Sequence, residues 1–295
     1  MNKNILVFGG TGFVGKAITK KLIEYNYKPV LFIRESSTNK IPSEIKNKIE
    51  VIIGNIEKIE DYEDKIKSYE IYAIIYLIGL IREFPQKNIK FIDYHYNWLK
   101  KVIDLAIKLN INRFILMSAN GVKENGTTYQ RTKFMGEEYL RKTNLNWTIF
   151  RPSLIIDDDK EAFNFKKLIL DLSKFIFFPI FSNGKYKVSP VHREDVSEIF
   201  VRSIENEKTF KRIFHICGKN SYNYVDFVKL VAKSNKKFII PVYIPSFIII
   251  PIAKIFRYVE FFPASDEQIK MLLEGNTCVE NDIWDILNLK PRDVF

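Results

Sequence analysis

The apolar run Ile5-Leu6-Val7-Phe8 ends abruptly in Gly9-Gly10-Thr11-Gly12-Phe13-Val14-Gly15, after which Val14, Ala17, Ile18, Leu22 and Ile23 recur at helical spacing. A strand, a tight glycine turn and a helix satisfy that order of residues. The glycines fall in the spacing G-x-x-G-x-x-G. Gly9 supplies the turn, Gly12 lets the backbone approach a pyrophosphate, and Gly15 lets the helix pack against the strand. Thr11, Phe13 and Val14 lie between and beside them, so the N–H groups opening the helix face the anion. A glycine triplet alone is an ordinary strand-to-helix turn; its flanking strand and helix make it a candidate dinucleotide cradle.

Strand and helix go on alternating. Lys28 to Arg34 reads as a second strand, Ile49 to Gly54 as a third, Ile71 to Ile78 as a fourth and Arg113 to Met117 as a fifth. Helices are predicted over Phe91 to Leu109 and Thr127 to Lys142, and a sixth strand over Trp147 to Phe150, stopped by Arg151-Pro152. Near-continuous apolar strands separated by helices predict an α/β Rossmann fold, a doubly wound parallel sheet covered on both faces. Residues 1–156 form this domain, and 188–217 return to it through a strand and helix over Val188 to Ser203 and a strand over Ile213 to Ile216. Residues 218–295, with 157–187, form a small C-terminal lobe for a substrate or a partner.

In that lobe Asp157-Asp158-Asp159 reads as a solvated loop rather than a metal site, followed by a helix to about Lys174 and an aromatic stretch, Phe175 to Phe181, read as lobe rather than sheet. Asn223 is placed to cap a helix over Val225 to Ala232, and Ser265 with Gln268 has capping-box spacing. Phe238 to Ala253 carries no charge but has three prolines, Pro241, Pro245 and Pro251. It is too short and too broken to span a bilayer, which takes about 20 apolar residues. It reads as the wall of an apolar pocket, or, with Lys254 and Arg257 just beyond it, as a patch over 238–257 that rests on a membrane or a partner.

Charge narrows the partners only coarsely. The 46 Lys and Arg exceed the 35 Asp and Glu, but no aromatic-interleaved basic stretch accompanies the excess, so a nucleic-acid partner is not expected. Cys217 and Cys278 stand far apart without metal-ligand neighbours, which reads as two free thiols in a reducing compartment and no zinc site. His95, His192 and His215 lack ligand companions and are expected to pack or hydrogen bond. The N-terminal apolar run enters the glycine turn directly and reads as a first strand rather than a signal peptide.

Arg34, 19 residues beyond Gly15 at the end of the second strand, stands where an adenosine ribose is read. An arginine there pairs with a 2′-phosphate and favours NADP(H) over NAD(H), with Ser36, Ser37 and Thr38 as added donors, although a one-residue register shift would bring in Glu35 instead. Tyr129 and Lys133 are four apart on a predicted helix, hence on one face. A nearby ammonium lowers a phenol's pKa, so this tyrosine can exchange a proton with an alcohol or carbonyl while a nicotinamide exchanges a hydride.

At this point the chain resembles the extended and atypical short-chain dehydrogenase/reductases. Gly9, Gly12 and Gly15 match the nucleotide turn, Gly54-Asn55-Ile56 the adenine-side strand end, Leu77-Ile78-Gly79 the strand end beneath the nicotinamide ribose, and Tyr129 with Lys133 the catalytic pair. Arg151-Pro152-Ser153 and Pro190 to Val196 match two segments bordering the substrate cleft. Ile75 to Gly79, Tyr129 to Glu137 and above all Ser265 to Leu272 resemble the branch that contains the nucleotide-binding accessory subunit of respiratory complex I and its bacterial relatives. The resemblance implies tight NADPH binding, complex I subunits as partners, a cytoplasmic protein peripheral on the inner face of the membrane, and little turnover. It also exposes a departure. Active members present a hydroxyl at the second position after the fifth strand, where Ser118-Ala119-Asn120 places Ala119, leaving Ser118 as the nearest catalytic hydroxyl. Asn55 replaces the usual aspartate. The alternative is an NAD(P)H-dependent reductase or epimerase acting on an apolar carbonyl such as a quinone or lipid precursor.

Overall fold

The computed structural model describes residues 3–157, 165–259, 262, 264–280 and 282–295. The elements run β1 (Asn4–Phe8), α1 (Phe13–Glu24), β2 (Lys28–Ile33), β3 (Glu50–Ile53), α2 (Glu63–Lys67), β4 (Ile71–Tyr76), α3 (Trp98–Lys108), β5 (Arg113–Met117), α4 (Thr128–Arg141), β6 (Asn146–Pro152), β7 (Ile155–Ile156), α5 (Phe165–Leu172), β8 (Phe177–Phe181), β9 (Lys187–Val188), β10 (Val191–His192), α6 (Arg193–Arg202), β11 (Arg212–Ile216), β12 (Tyr222–Asn223), α7 (Tyr224–Ser234), β13 (Ile240–Ile244), α8 (Ser246–Ile255), α9 (Asp266–Leu273) and α10 (Ile283–Ile286). Seven strands form one sheet in the order β11-β6-β5-β4-β1-β2-β3, every pair parallel. This is the doubly wound architecture that the alternation predicts.

Period-two side-chain alternation splits β1 between two cores. Ile5 and Val7 face Ile18, Leu22, Val196 and Phe200 of α1 and α6, whereas Leu6 and Phe8 face Leu99, Val102 and Leu140 of α3 and α4. A third core, with Phe178, Ile180, Phe227, Val228 and Val231, belongs to the C-terminal lobe. Within the segment assigned to that lobe, Ile283, Trp284 and Leu287 of the α10 region pack on the first core beside the sheet.

Four expectations are corrected. Cys217 and Cys278 are not free thiols: they form a disulfide with their Cα atoms 5.9 Å apart, because the chain folds back so that Trp284 Nε1 donates to the Cys217 carbonyl at 3.1 Å. The ground for expecting a reducing compartment goes with them. Phe177–Phe181 is a strand after all, paired in parallel with β13 as one of three two-stranded sheets among the described residues. The sixth strand does not stop at Phe150 but pairs through Arg151 and Pro152 with β11. Asn223 stands at the N-terminus of α7 without capping it, since the N–H groups of Tyr224 and Val225 go to the carbonyls of Tyr186 and Gly184 and its amide donates instead to Asp226. The Ser265/Gln268 capping box is present. Asp158 and Asp159 lie outside the described residues; among those described, no cluster of His, Cys, Asp and Glu could hold a metal ion.

Candidate dinucleotide site

The site lies along the C-terminal edge of the sheet, where β1 to β5 release their loops. At the end of β1, Gly9 adopts φ +83°, and the Gly12 N–H closes the turn on the Gly9 carbonyl at 3.0 Å. A Cβ on Gly15 would stand 2.1 Å from that same carbonyl oxygen, so only glycine lets α1 come this close. Over Gly12 the opposite holds. A Cβ there would touch only Gly9 O at 3.2 Å and otherwise meet open space, which leaves backbone approachable from outside. Helix α1 opens at Phe13 with no side-chain cap and no acid in its first turn. Its N–H groups and the positive end of its dipole therefore face that space, the arrangement a pyrophosphate needs. Thr11 is half-buried in the turn and Val14 points into the core.

The neighbouring strand ends supply the two flanks. Ile33 pairs with Ile53, and the Gly54 N–H donates to Ile33 O at 2.8 Å, so Arg34 and Asn55 leave adjacent strands side by side. Both are exposed. Arg34 is the first residue beyond β2 and Glu35 opens the following 3₁₀ turn, while the Thr38 hydroxyl is committed to Glu35 O at 2.9 Å. Asn55 caps the next turn by accepting the Glu57 N–H at 3.0 Å, and Ile56 behind it is buried. On the other flank Leu77 and Ile78 lie against Gly9, whose Cβ would be 3.2 Å from their backbone. A Cβ on Gly79 would meet only Lys133 Nζ, at 3.6 Å.

Helix α4 brings Tyr129 and Lys133 to that flank. Its start is fixed by a Thr127/Gln130 capping box, and Glu267 of α9 accepts the N–H groups of Thr128 and Tyr129 at 3.2 and 3.4 Å. Tyr129, Lys133 and Glu137 then fall at four-residue steps on one stripe. Lys133 is buried, with the Met117 carbonyl 3.5 Å from its Nζ, and burial brings its ammonium down to about 8. Its Nζ lies 5.7 Å from the Tyr129 ring centre. Burial pushes the Tyr129 hydroxyl up from its ordinary value, which outweighs the lowering expected from the lysine. Only a group added to the site, such as a ribose, would tie the two together.

Sequence reasoning missed what orients this pair. His95 sits in a single π-helical turn ahead of α3, a device frequent at functional sites. Its Nε2 accepts the Leu80 N–H at 3.1 Å, its Nδ1 lies 2.9 Å from Thr132 Oγ1, and its ring stands edge-on to Tyr129 with centres 5.1 Å apart. Burial, then Lys133, holds its pKa well below the usual range, so it is neutral. Glu137 was missed as well. Its buried carboxylate pairs with Arg151 of β6, Nε to Oε1 at 3.0 Å, and also accepts the Ser118 hydroxyl. The four-residue step from Lys133 was the available signal. Ser118 is therefore present but engaged, Ala119 offers no hydroxyl, and Asn120 is tied to His215, Asn276 and Thr277. Pro152, at the end of β6, is buried and accepts the Asn120 N–H at 3.0 Å. His192 accepts the Glu194 N–H at the start of α6, where Arg193 lies over the Phe13 ring and pairs with Asp157 at 2.6 Å.

A parallel doubly wound sheet with a glycine cradle at its carboxyl edge and a Tyr/Lys step beside it defines a dinucleotide-binding protein of the short-chain dehydrogenase/reductase type. The NAD(P)H-binding family is matched over residues 9–207, and the chain belongs to that family. Over 295 residues it is 24% identical to the mitochondrial NADH-ubiquinone oxidoreductase 40 kDa subunit of Neurospora crassa, covering 98% of this chain and 76% of that one. It is 23% identical to the mitochondrial NADH dehydrogenase [ubiquinone] 1 alpha subcomplex subunit 9 of Dictyostelium discoideum, covering 76% of this chain and 62% of that one. Among solved structures an epimerase of Methanothermobacter thermautotrophicus superposes with a TM-score of 0.76 at 16% identity, over 100% of this chain and 89% of that one, which shows the shared fold.

Proposed function

We propose that the chain is an NADP(H)-holding accessory or assembly subunit of a membrane-bound NADH:quinone oxidoreductase, peripheral on the inner, cytoplasmic face of the membrane, with little or no turnover. The observation that supports this reading is an asymmetry: the Gly9–Gly15 turn leaves the start of α1 open to a pyrophosphate, whereas Ala119 has no hydroxyl to hold a substrate carbonyl and that of Ser118 is bonded to Glu137. Loss of one such oriented donor costs roughly 3 to 4 kcal/mol of transition-state stabilisation. The two respiratory-complex relatives support the partner. Gly9, Gly12 and Gly15 would hold the pyrophosphate, Arg34 a 2′-phosphate, and Lys133 the nicotinamide ribose. The bound dinucleotide would supply a hydride donor or acceptor. A native gel of gently solubilised membranes, probed for this chain and for NADH:quinone reductase activity, tests the partner; migration apart from the active band refutes it. Arg34→Asp should weaken NADPH binding while leaving NADH binding nearly unchanged, and equal losses for both would remove the 2′-phosphate role.

The Tyr129/Lys133 step favours a second reading, a reductase or epimerase for an apolar carbonyl with Tyr129 as proton donor. Tyr129→Phe would then abolish turnover of such a carbonyl with cofactor affinity kept, and undiminished turnover would exclude Tyr129 from the chemistry.

A further inference from the structure

Among the described residues, the strand pair β8/β13 and helix α8 leave a large apolar surface uncovered. Paired residues of parallel strands share a face. Phe177, Pro179 and Phe181 stand beside Ile240, Val242 and Ile244 in register, while the alternate residues Phe178 and Ile180 point into the lobe core. The outer face therefore carries no polar side chain at these six positions. Phe177 is 66% exposed, and Phe175 and Phe238 at the strand approaches are 69% and 74% exposed. Pro245 turns the chain straight from β13 into α8. On α8 the positions Phe247, Pro251 and Ile255, with Ile248 and Ile252 alongside, form one exposed stripe, and Ala253 on the other side is buried. Phe247 and Ile255 are each 77% exposed. Large apolar side chains exposed together on successive elements mark an interaction site.

Its charge says what covers it. From Phe227 to Val259 the chain has no acidic residue, but it has Lys229, Lys233, Lys236, Lys237, Lys254 and Arg257. From Leu172 to Arg193 there is again no acid, with Lys174, Lys185 and Lys187 present. Lys174 is paired with Asp171 and Arg257 with Asp266; the remaining lysines leave these segments net positive, which fits a layer of hydrocarbon beneath anionic headgroups. Helix α8 has ten residues, about 15 Å at 1.5 Å per residue against a hydrocarbon core of about 30 Å, so it lies in the interface and does not cross it. No described helix is long and apolar enough to cross a membrane.

We propose that the outer face of β8/β13 and the exposed stripe of α8 form one monotopic docking surface for an anionic lipid bilayer. This rests on the peripheral placement proposed above but needs no partner enzyme. The docked surface is also held to the cofactor side of the molecule. Arg82, three residues beyond Gly79, donates to the carbonyls of Phe256, Arg257, Val259 and Phe262, and Gln86 donates to that of Tyr258. Docking thus fixes the orientation of the dinucleotide edge relative to the bilayer.

The test is co-sedimentation of the purified full chain with vesicles of phosphatidylcholine alone and of phosphatidylcholine with one-quarter phosphatidylglycerol. The chain should partition onto the mixed vesicles more strongly by on the order of tenfold, since each surface lysine contributes about a fivefold attraction at most. Phe247→Glu with Ile255→Glu should reduce that partition by on the order of a hundredfold, with NADPH binding unchanged because neither side chain touches the site. Lys233→Glu with Lys236→Glu should abolish the preference for anionic vesicles. Failure of the wild-type chain to sediment with either vesicle while it still binds NADPH would overturn the proposal, as would equal sedimentation of the Phe247/Ile255 variant. A chain that ignores vesicles yet co-migrates with the oxidoreductase would assign the face to a protein subunit and leave the accessory role standing.

Discussion

Replacing Lys133 with methionine should stabilise the protein without its nucleotide and weaken its hold on that nucleotide. Methionine keeps the length and apolar stem of the side chain and removes the charge. In the fold the ammonium is buried, and its pKa falls from 10.5 to about 8 chiefly through that burial. At about 1.4 kcal/mol per pH unit, keeping it protonated at pH 7 costs on the order of 3 kcal/mol of folding free energy. For 295 residues at roughly 2.1 cal/mol/K per residue of unfolding entropy, that raises Tm by about 5 °C in the variant. The sign with pH follows from proton counts. Between about 8 and 10.5 the unfolded lysine keeps a proton that the folded one has released, so the wild type gains stability as pH rises through that window. The difference between the proteins should therefore shrink to below about 1 kcal/mol at pH 10. NADPH at a hundred times its Kd stabilises the wild type by about 2.7 kcal/mol. Loss of a charged hydrogen bond to ribose, about 1.5 to 3 kcal/mol, leaves the variant with less than about 1.5 kcal/mol at the same concentration. Melting curves at pH 7 and pH 10, with and without NADPH, measure all four quantities. Equal Tm values at pH 7, or a difference that does not shrink by pH 10, would refute the buried cation; an undiminished NADPH shift would refute its role at the ribose.

Arg151→Leu leaves the Glu137 carboxylate, with only 1% of its side chain exposed, without its cation, and should cost about 3 to 5 kcal/mol in urea unfolding; a loss under about 1 kcal/mol would mean that Ser118 and water suffice. Reducing the Cys217–Cys278 bond, which closes a separation of 61 residues, should lower stability by up to about 4 kcal/mol, read as a shift in the urea midpoint with dithiothreitol, and no shift would show that the two ends are held without it.

The local features were legible in the sequence because their partners lie within a few residues. The glycine turn, the parallel alternation and the capping boxes at Thr127 and Ser265 all depend on neighbours three to six positions away. What was not legible depended on distant chain. Phe175 to Phe181 lacks clean alternation and contains Pro179, so nothing local identifies a strand; its partner β13 begins more than fifty residues later. Cys217 and Cys278 look isolated for the same reason, and only the fold brings them together. Asn223 has the residue type and position of a cap, but carbonyls from the 184–186 loop had already taken the N–H groups it would serve. At the site, the tight turn at Gly9 and the close packing at Gly15 were readable. The commitments of Ser118 and His95 were not, since both are made across elements, to Glu137 and to Leu80 and Thr132.

On the proposed function, the stripe on α4 serves to hold a nucleotide rather than to use it. Tyr129 is held edge-on by Phe91 and His95, with a phenol that burial makes less acidic. A base poised for proton transfer needs a pKa brought toward working pH, and this one is moved away from it. Lys133 is the group that burial strains, and a ribose hydroxyl can relieve that strain by hydrogen bonding. The third position, Glu137, is spent on Arg151 and Ser118, which locks β5, β6 and α4 together beneath the site. From above, Glu267 of the C-terminal lobe accepts the first N–H groups of α4, and Arg82 grips the carbonyls that follow α8. A dinucleotide bound between these clamps would give Lys133 a ribose acceptor beside the Met117 carbonyl and bridge the cradle to α4. Its energetic effect would then fall on the rigidity of the joint between sheet and lobe, which is what a structural nucleotide contributes and what turnover, with its release of product at every cycle, would keep undoing.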